Sequence, residues 1–174
     1  IRRGFTLVEA IATIVILAAL GSVASTILMT AMNGYTTSAI GAQLQSEGSI
    51  ALDRIVREFR KIQRDTSVSP TVAPLISSVT ANSIAWNTNS SLGVSGTTID
   101  FVDAGAASRP LLKDVTSLAI DCFDDSNAAL AATLSGAATQ TIRRIKITIT
   151  LQRSGVTETL RTKVEIRPIM SGSG

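Results

Sequence analysis

Few side chains in this 174-residue chain can do chemistry, and histidine is not among them. That removes the usual general base and the commonest neutral metal ligand. Serine and threonine are plentiful, but none stands in a G-x-S-x-G context. Neither a P-loop nor a G-x-G-x-x-G run occurs. Asp121, Asp124 and Asp125 form the one dense acidic cluster, and oxygens at such spacing can ligate Ca²⁺. They lack a full ligand set, so a solvated loop with no metal is the expectation. The single cysteine, Cys122, has no partner for an internal disulfide and falls on an alternating apolar stripe. A buried core thiol is expected there, with an intermolecular disulfide as the sharper alternative. Glu9 lies just inside an apolar run, where a lone carboxylate is costly and as a rule has a partner. Neither an enzyme nor a cofactor is expected.

The element that carries Glu9 is the N-terminal stretch. From Ala10 to Met32 there is no charge and no proline. About 20 apolar residues cross the hydrocarbon core of a bilayer, so this run is long enough. Arg2 and Arg3 precede it and favour the cytoplasmic side, which sends the rest of the chain outward. A general secretory signal, cut after Ala19 or Ser25, is the competing reading, but the apolar character continues past both positions. The chain does not begin with Met, from which an upstream trim is expected. Charge bounds the partners further. There are 16 Lys and Arg against 13 Asp and Glu, and without Arg2 and Arg3 the balance is 14 against 13. With one Trp and one Tyr, no basic surface interleaved with aromatics is evident, so no nucleic acid is expected as a partner.

The length predicts one globular domain plus an anchor. The helix is expected to run on past the membrane, over Thr6 to Arg64, about 90 Å at 1.5 Å per residue. In its outer half Leu44, Ala51, Ile55, Phe59 and Ile62 recur on one face. Asp53, Arg54, Arg57, Glu58, Arg60, Lys61 and Arg64 take the other, with Asp53–Arg57 and Arg54–Glu58 as i, i+4 pairs. Gly21, Gly34, Gly41 and Gly48 each weaken a helix by about 1 kcal/mol relative to Ala. They predict a bend or local melting near Gly34, or else close packing between helices.

Thr66 to Pro74 reads as the break after the helix, and β structure follows. Ser83 to Trp86 and Thr97 to Val102 are strand candidates, with Asn87 to Gly96 between them as a loop. Ser117 to Phe123 alternates, placing Leu118, Ile120 and Cys122 on one face. Asp124 to Gln140 reads as a surface loop with a short helical turn. Ile145, Ile147, Ile149 and Leu151 alternate with polar residues, Arg153-Ser154-Gly155 supplies a turn, and Val156 to Ile166 returns with Leu160, Val164 and Ile166 inward. The inner face of this hairpin should cover the helix stripe, giving an α+β fold with a long, partly transmembrane helix on an antiparallel sheet. The tail Ser171 to Gly174 is expected to be flexible. The expected segments are residues 1–4 ahead of the apolar run, a membrane helix over 5–32, its amphipathic continuation over 33–65, the β-rich domain over 66–170 and the tail.

Arg3-Gly4-Phe5-Thr6-Leu7-Val8-Glu9 followed by the apolar run resembles the class III signal of type IV pilins. The resemblance implies that prepilin peptidase cuts between Gly4 and Phe5, that 1–4 is a leader remnant, that Phe5 becomes the N-methylated first residue and that the helix over 5–32 serves as filament core. It also implies that Glu9, five positions into the mature chain, meets the N-terminal amine of a neighbouring subunit during assembly. The stretch Ala51 to Arg60, then Leu111 to Leu118, Ile142 to Thr148 and Leu160 to Val164, resembles the J-type minor pseudopilins of type II secretion and the larger minor pilins related to them. The implied partners are other pilin or pseudopilin subunits, the peptidase, an inner-membrane assembly platform and the membrane itself. The implied location is the inner membrane, with the globular domain outside the cytoplasm, and then a pilus or pseudopilus. Many pilins close a C-terminal loop with a disulfide, and a chain with one cysteine departs from that pattern. The alternative from another class is a stand-alone membrane-anchored extracytoplasmic binding protein.

Overall fold

The computed structural model describes residues 6–67 and 73–166. It divides into two units, Ile1–Ile40 and Gly41–Gly174. One helix, α1 (Leu7–Phe59), supplies residues to both. The chain then forms β1 (Arg64–Asp65), β2 (Ala73–Pro74), β3 (Ile76–Thr80), β4 (Ser83–Trp86), β5 (Ser90–Ser95) and β6 (Thr98–Val102). It continues through β7 (Arg109–Leu112), β8 (Val115–Phe123), β9 (Leu134–Ser135), a 3₁₀ helix (Gly136–Thr141), β10 (Arg144–Arg153) and β11 (Val156–Glu165).

Within the first unit the described chain is helical from Leu7 onward, without interruption at Gly21 or Gly34. Local melting near Gly34, one of the expected alternatives, does not occur in the described helix. Its large apolar side chains, among them Leu7, Ile14, Leu20, Ile27 and Met32, are exposed. The hydroxyls of Thr13, Ser22, Thr26 and Thr30 each donate to a carbonyl three or four residues back. These bonds give the four hydroxyls a partner within the helix, which lowers the cost of placing them on an apolar surface. This helix is long and apolar enough to cross a membrane.

The second unit is an α+β body with antiparallel pairing throughout. Three strands run in the order β11-β10-β8, six in the order β7-β6-β5-β4-β3-β9, and β1 pairs with β2. The hairpin β10–β11 keeps an unbroken register from Arg144↔Glu165 to Arg153↔Val156. Ser154 and Gly155 close it at φ 51° and 81°, the pair of positive φ values that matches the twist of a two-residue hairpin. Ile145, Ile147, Ile149 and Leu151 are fully buried, as are the helix residues Leu44, Ala51, Ile55 and Phe59. The stripe expected on the helix is therefore the one that packs.

Gly48 shows why a glycine stands in that stripe. A Cβ there would lie 2.7 Å from Leu160 Cδ1 and 3.1 Å from Leu151 Cδ1. Gly48→Ala would raise helix propensity by about 1 kcal/mol, but overpacking a tight contact costs about 1–3 kcal/mol. Net destabilisation is the expected result, read as a lower urea midpoint; an unchanged or higher midpoint would show that Leu160 yields freely.

The helix ends at Phe59, five residues before the expected Arg64. Lys61 N and Ile62 N bond three residues back, to Glu58 O and Phe59 O. The Asn87 side chain then holds the departing strand, donating to Lys61 O and accepting from Gln63 N. The expected ion pairs also rearrange. Glu58 pairs with Lys61 at 2.9 Å, Arg57 Nε reaches the Asp53 carbonyl, and Arg54 lies over the Phe101 ring at 5.6 Å.

The loop expected over Asn87 to Gly96 is in large part strand β5, which lies between β4 and β6. Its burial alternates, with Ser90 and Leu92 inward. The loop expected over Asp124 to Gln140 carries β9 and most of the 3₁₀ helix. There the buried Thr139 hydroxyl bonds to Ile76 O at 2.7 Å. Of the break at Thr66 to Pro74, residues 68–72 lie outside the described residues, as does the tail Ser171 to Gly174.

Candidate functional site

Gly4 and Phe5 lie outside the described residues, so the described part of the expected processing region starts at Thr6. Thr6 and Glu9 are joined reciprocally. Glu9 N donates to Thr6 Oγ1 at 3.3 Å, while Glu9 Oε2 accepts from Thr6 N at 3.2 Å and from Thr6 Oγ1 at 3.1 Å. This is a capping box, which satisfies amides at the helix N-terminus that have no partner within the helix. The carboxylate also lies at the positive pole of the helix dipole. The T-x-x-E spacing was the available sign of this cap. Glu9 remains exposed, so one carboxylate serves the local cap and is open to an outside cation.

The acidic cluster does not converge. Asp121 pairs with Lys146 at 3.0 Å. Asp124 Oδ1 accepts from Ser126 Oγ and Ala128 N, both at 2.8 Å, and these bonds hold its carboxyl below the usual carboxylate range. Asp125 meets Arg144 through its backbone carbonyl at 3.5 Å. Among the described residues no group of three His, Cys, Asp or Glu is placed to hold a metal ion.

Cys122 is buried on the inner face of β8. Burial first, and the neighbouring Asp121 charge second, push its thiol up to about 12. The thiolate is the reactive form, so the folded protein should resist alkylation at pH 8 and react once urea unfolds it. Fast labelling of the native chain would contradict this placement. The sign on stability follows. Unfolding lowers the pKa, so the buried neutral thiol favours the fold below the unfolded value of 9.0, and that contribution falls as pH rises from there toward about 12.

Arg153 forms a charged junction that no local spacing announces. Its Nη2 and Nη1 reach Glu47 Oε2 and Oε1 at 2.8 and 3.3 Å, and its Nε reaches Asp114 Oδ2 at 2.7 Å. The partners are 106 and 39 residues away in sequence. The guanidinium holds Glu47 below its ordinary value, and the two carboxylates raise Arg153. A cleft of about 440 Å³ opens beside the junction, lined also by Ile50, Pro110 and Leu112. Glu47, Asp114 and Arg153 already pair with one another, while Lys113, also in the lining, has no ionic partner among the described residues. No family model and no curated protein matches the chain.

Proposed function

We propose that the chain is a minor pilin or minor pseudopilin. In this reading it is a non-enzymatic subunit that helps to initiate, cap or modify the tip of a type IV pilus or a type II secretion pseudopilus. The observation that carries the reading is Glu9 at the head of an exposed apolar helix, five positions past the Gly4–Phe5 junction. Two further features support it: a helix long and apolar enough to span a membrane, and an antiparallel β body packed on the outer part of the same helix. Prepilin peptidase would release Phe5 on the cytoplasmic side of the inner membrane, and Phe5 would then be N-methylated. The apolar helix would hold the subunit until other subunits bury it in a filament. The deciding experiment is the N-terminal mass of the protein from cells with and without prepilin peptidase. A methylated Phe5 that depends on the peptidase is expected. A start upstream of Gly4 in both strains, or after Ala19 or Ser25, would overturn the reading in favour of an anchored or secreted binding protein.

A further inference from the structure

The three-stranded sheet ends on β11, and this edge differs from the others. In the six-stranded sheet one edge, β7, has four residues and contains Pro110, and the other, β9, has two. The outer side of β8 is engaged, with Val115 N bonded to Thr97 O, Ile120 N to Ala81 O, and Cys122 O accepting from Leu130 N. Short, proline-bearing and covered edges are the usual protections against strand addition. By contrast β11 has ten residues, no proline and no bulge in its register with β10.

The direction of its free groups follows from the pairing. Ile166 N donates to Arg143 O. Hydrogen-bonded and non-bonded pairs alternate along an antiparallel ladder, so Thr157, Thr159, Arg161, Lys163 and Glu165 aim their backbone groups away from β10. Among the described residues no backbone group meets them. Beside this edge runs a groove of about 370 Å³, bounded by Ser49, Leu52 and Asp53 of α1 and by Leu160 and Arg161 of β11.

We propose that the free edge of β11 receives an extended segment of another protein as a fourth strand. Its side chains alternate, with a carboxylate opposite Arg161 and an apolar residue turned into the groove toward Leu52 and Leu160. Charge selects the occupant. Arg161 is exposed and has no ionic partner among the described residues, whereas Lys163 is held by the Asn127 side chain and the Phe123 ring. Asp53 on the groove side disfavours a carboxylate there. A second copy of β11 gives Arg161 no good partner, since like charges directly opposite are unfavourable. Antiparallel pairing centred on Arg161 or Thr162 sets it against Arg161 or Lys163. Pairing centred on Lys163 gives it Glu165 only by setting Lys163 against Lys163, and pairing centred on Thr159 or Leu160 leaves it opposite threonine. Strand addition of this kind draws affinity from the main chain and specificity from alternate side chains. It is independent of whether the anchor belongs to a filament.

The test uses the full chain in lipid nanodiscs, labelled with ¹⁵N. Two eight-residue peptides are titrated, one alternating glutamate with valine and one alternating lysine with valine. The glutamate peptide is expected to slow exchange of the Thr157, Thr159, Arg161, Lys163 and Glu165 amides and to bind about three- to fivefold tighter than the lysine peptide, the scale of one cross-strand charge pair. Arg161→Glu, an exposed change that leaves the core intact, should reverse the preference. Thr159→Pro removes an outward donor without touching the ladder to β10 and should weaken both peptides. The proposal is overturned if neither peptide protects these amides, if both bind wild type equally, if the amides are already protected in the free protein, or if the chain pairs with itself through β11.

Discussion

Phe59→Ala is expected to destabilise the second unit by about 3–5 kcal/mol, the range for removing a fully buried aromatic side chain. Phe59 has no exposed surface and is the last residue of α1. Its ring meets Trp86 of β4 edge-on, with centroids 5.1 Å apart and planes at 85°. Trp86 in turn lies 6.0 Å from Phe101 of β6. An edge-to-face pair adds about 0.5–1.5 kcal/mol beyond burial, and truncation would leave a void between the helix end and the larger sheet. A domain with about 5–15 kcal/mol of total stability loses a large fraction of it. Urea unfolding of the full chain in detergent, followed by circular dichroism, reads the change. Ile50→Ala is the control, since Ile50 is 67% exposed on the same helix and a surface change of this kind shifts stability by about 0.5 kcal/mol or less. A loss below about 1 kcal/mol at Phe59 would mean that the helix end does not depend on this contact.

What could be read from sequence divides along the range of the forces involved. The stripe from Leu44 to Ile62 and the alternation from Ile145 to Leu151 repeat over many residues, so periodicity exposed them, and both are the buried faces. Strand β5 has only Leu92 and Val94 as large apolar residues within a Ser- and Asn-rich stretch, so composition spoke for a loop. Hydrogen bonding to β4 and β6 on both sides makes it a strand. Strand β7 contains Pro110, which weighs against a strand from sequence and is tolerated at a sheet edge. The end of α1 depends on Asn87, 24 residues beyond the Gln63 amide it accepts from. The Arg153 junction spans longer separations still, and no window along the chain contains both ends of it. Glu9 was legible as an isolated carboxylate, whereas its cap with Thr6 went unread although the spacing was there. A residue singled out for a distant partner can also have a local one.

That double bond-making sets up the second large effect, which separates the cap from the charge. On the proposed assembly, Glu9 neutralises the N-terminal amine of a neighbouring subunit inside an apolar helix bundle. Removing one partner of a buried ion pair leaves the other charge uncompensated, at a cost of about 3–5 kcal/mol. Incorporation should then fall by about a hundredfold or more, since each 1.4 kcal/mol is a factor of ten. A cap alone is worth about 1 kcal/mol. Glutamine serves in a capping box as glutamate does, so Glu9→Gln removes the charge while keeping most of the bonding to Thr6. Thr6→Val does the reverse, leaving the carboxylate and deleting the hydroxyl that both gives and accepts a bond in the cap. If the charge governs assembly, Glu9→Gln is cleaved by the peptidase but is nearly absent from sheared filaments, while Thr6→Val is incorporated at a reduced, measurable level. Equal defects in both variants would make the cap the working element. Normal incorporation of Glu9→Gln would remove the ion pair from the account, leaving Glu9 as the N-terminal cap of α1.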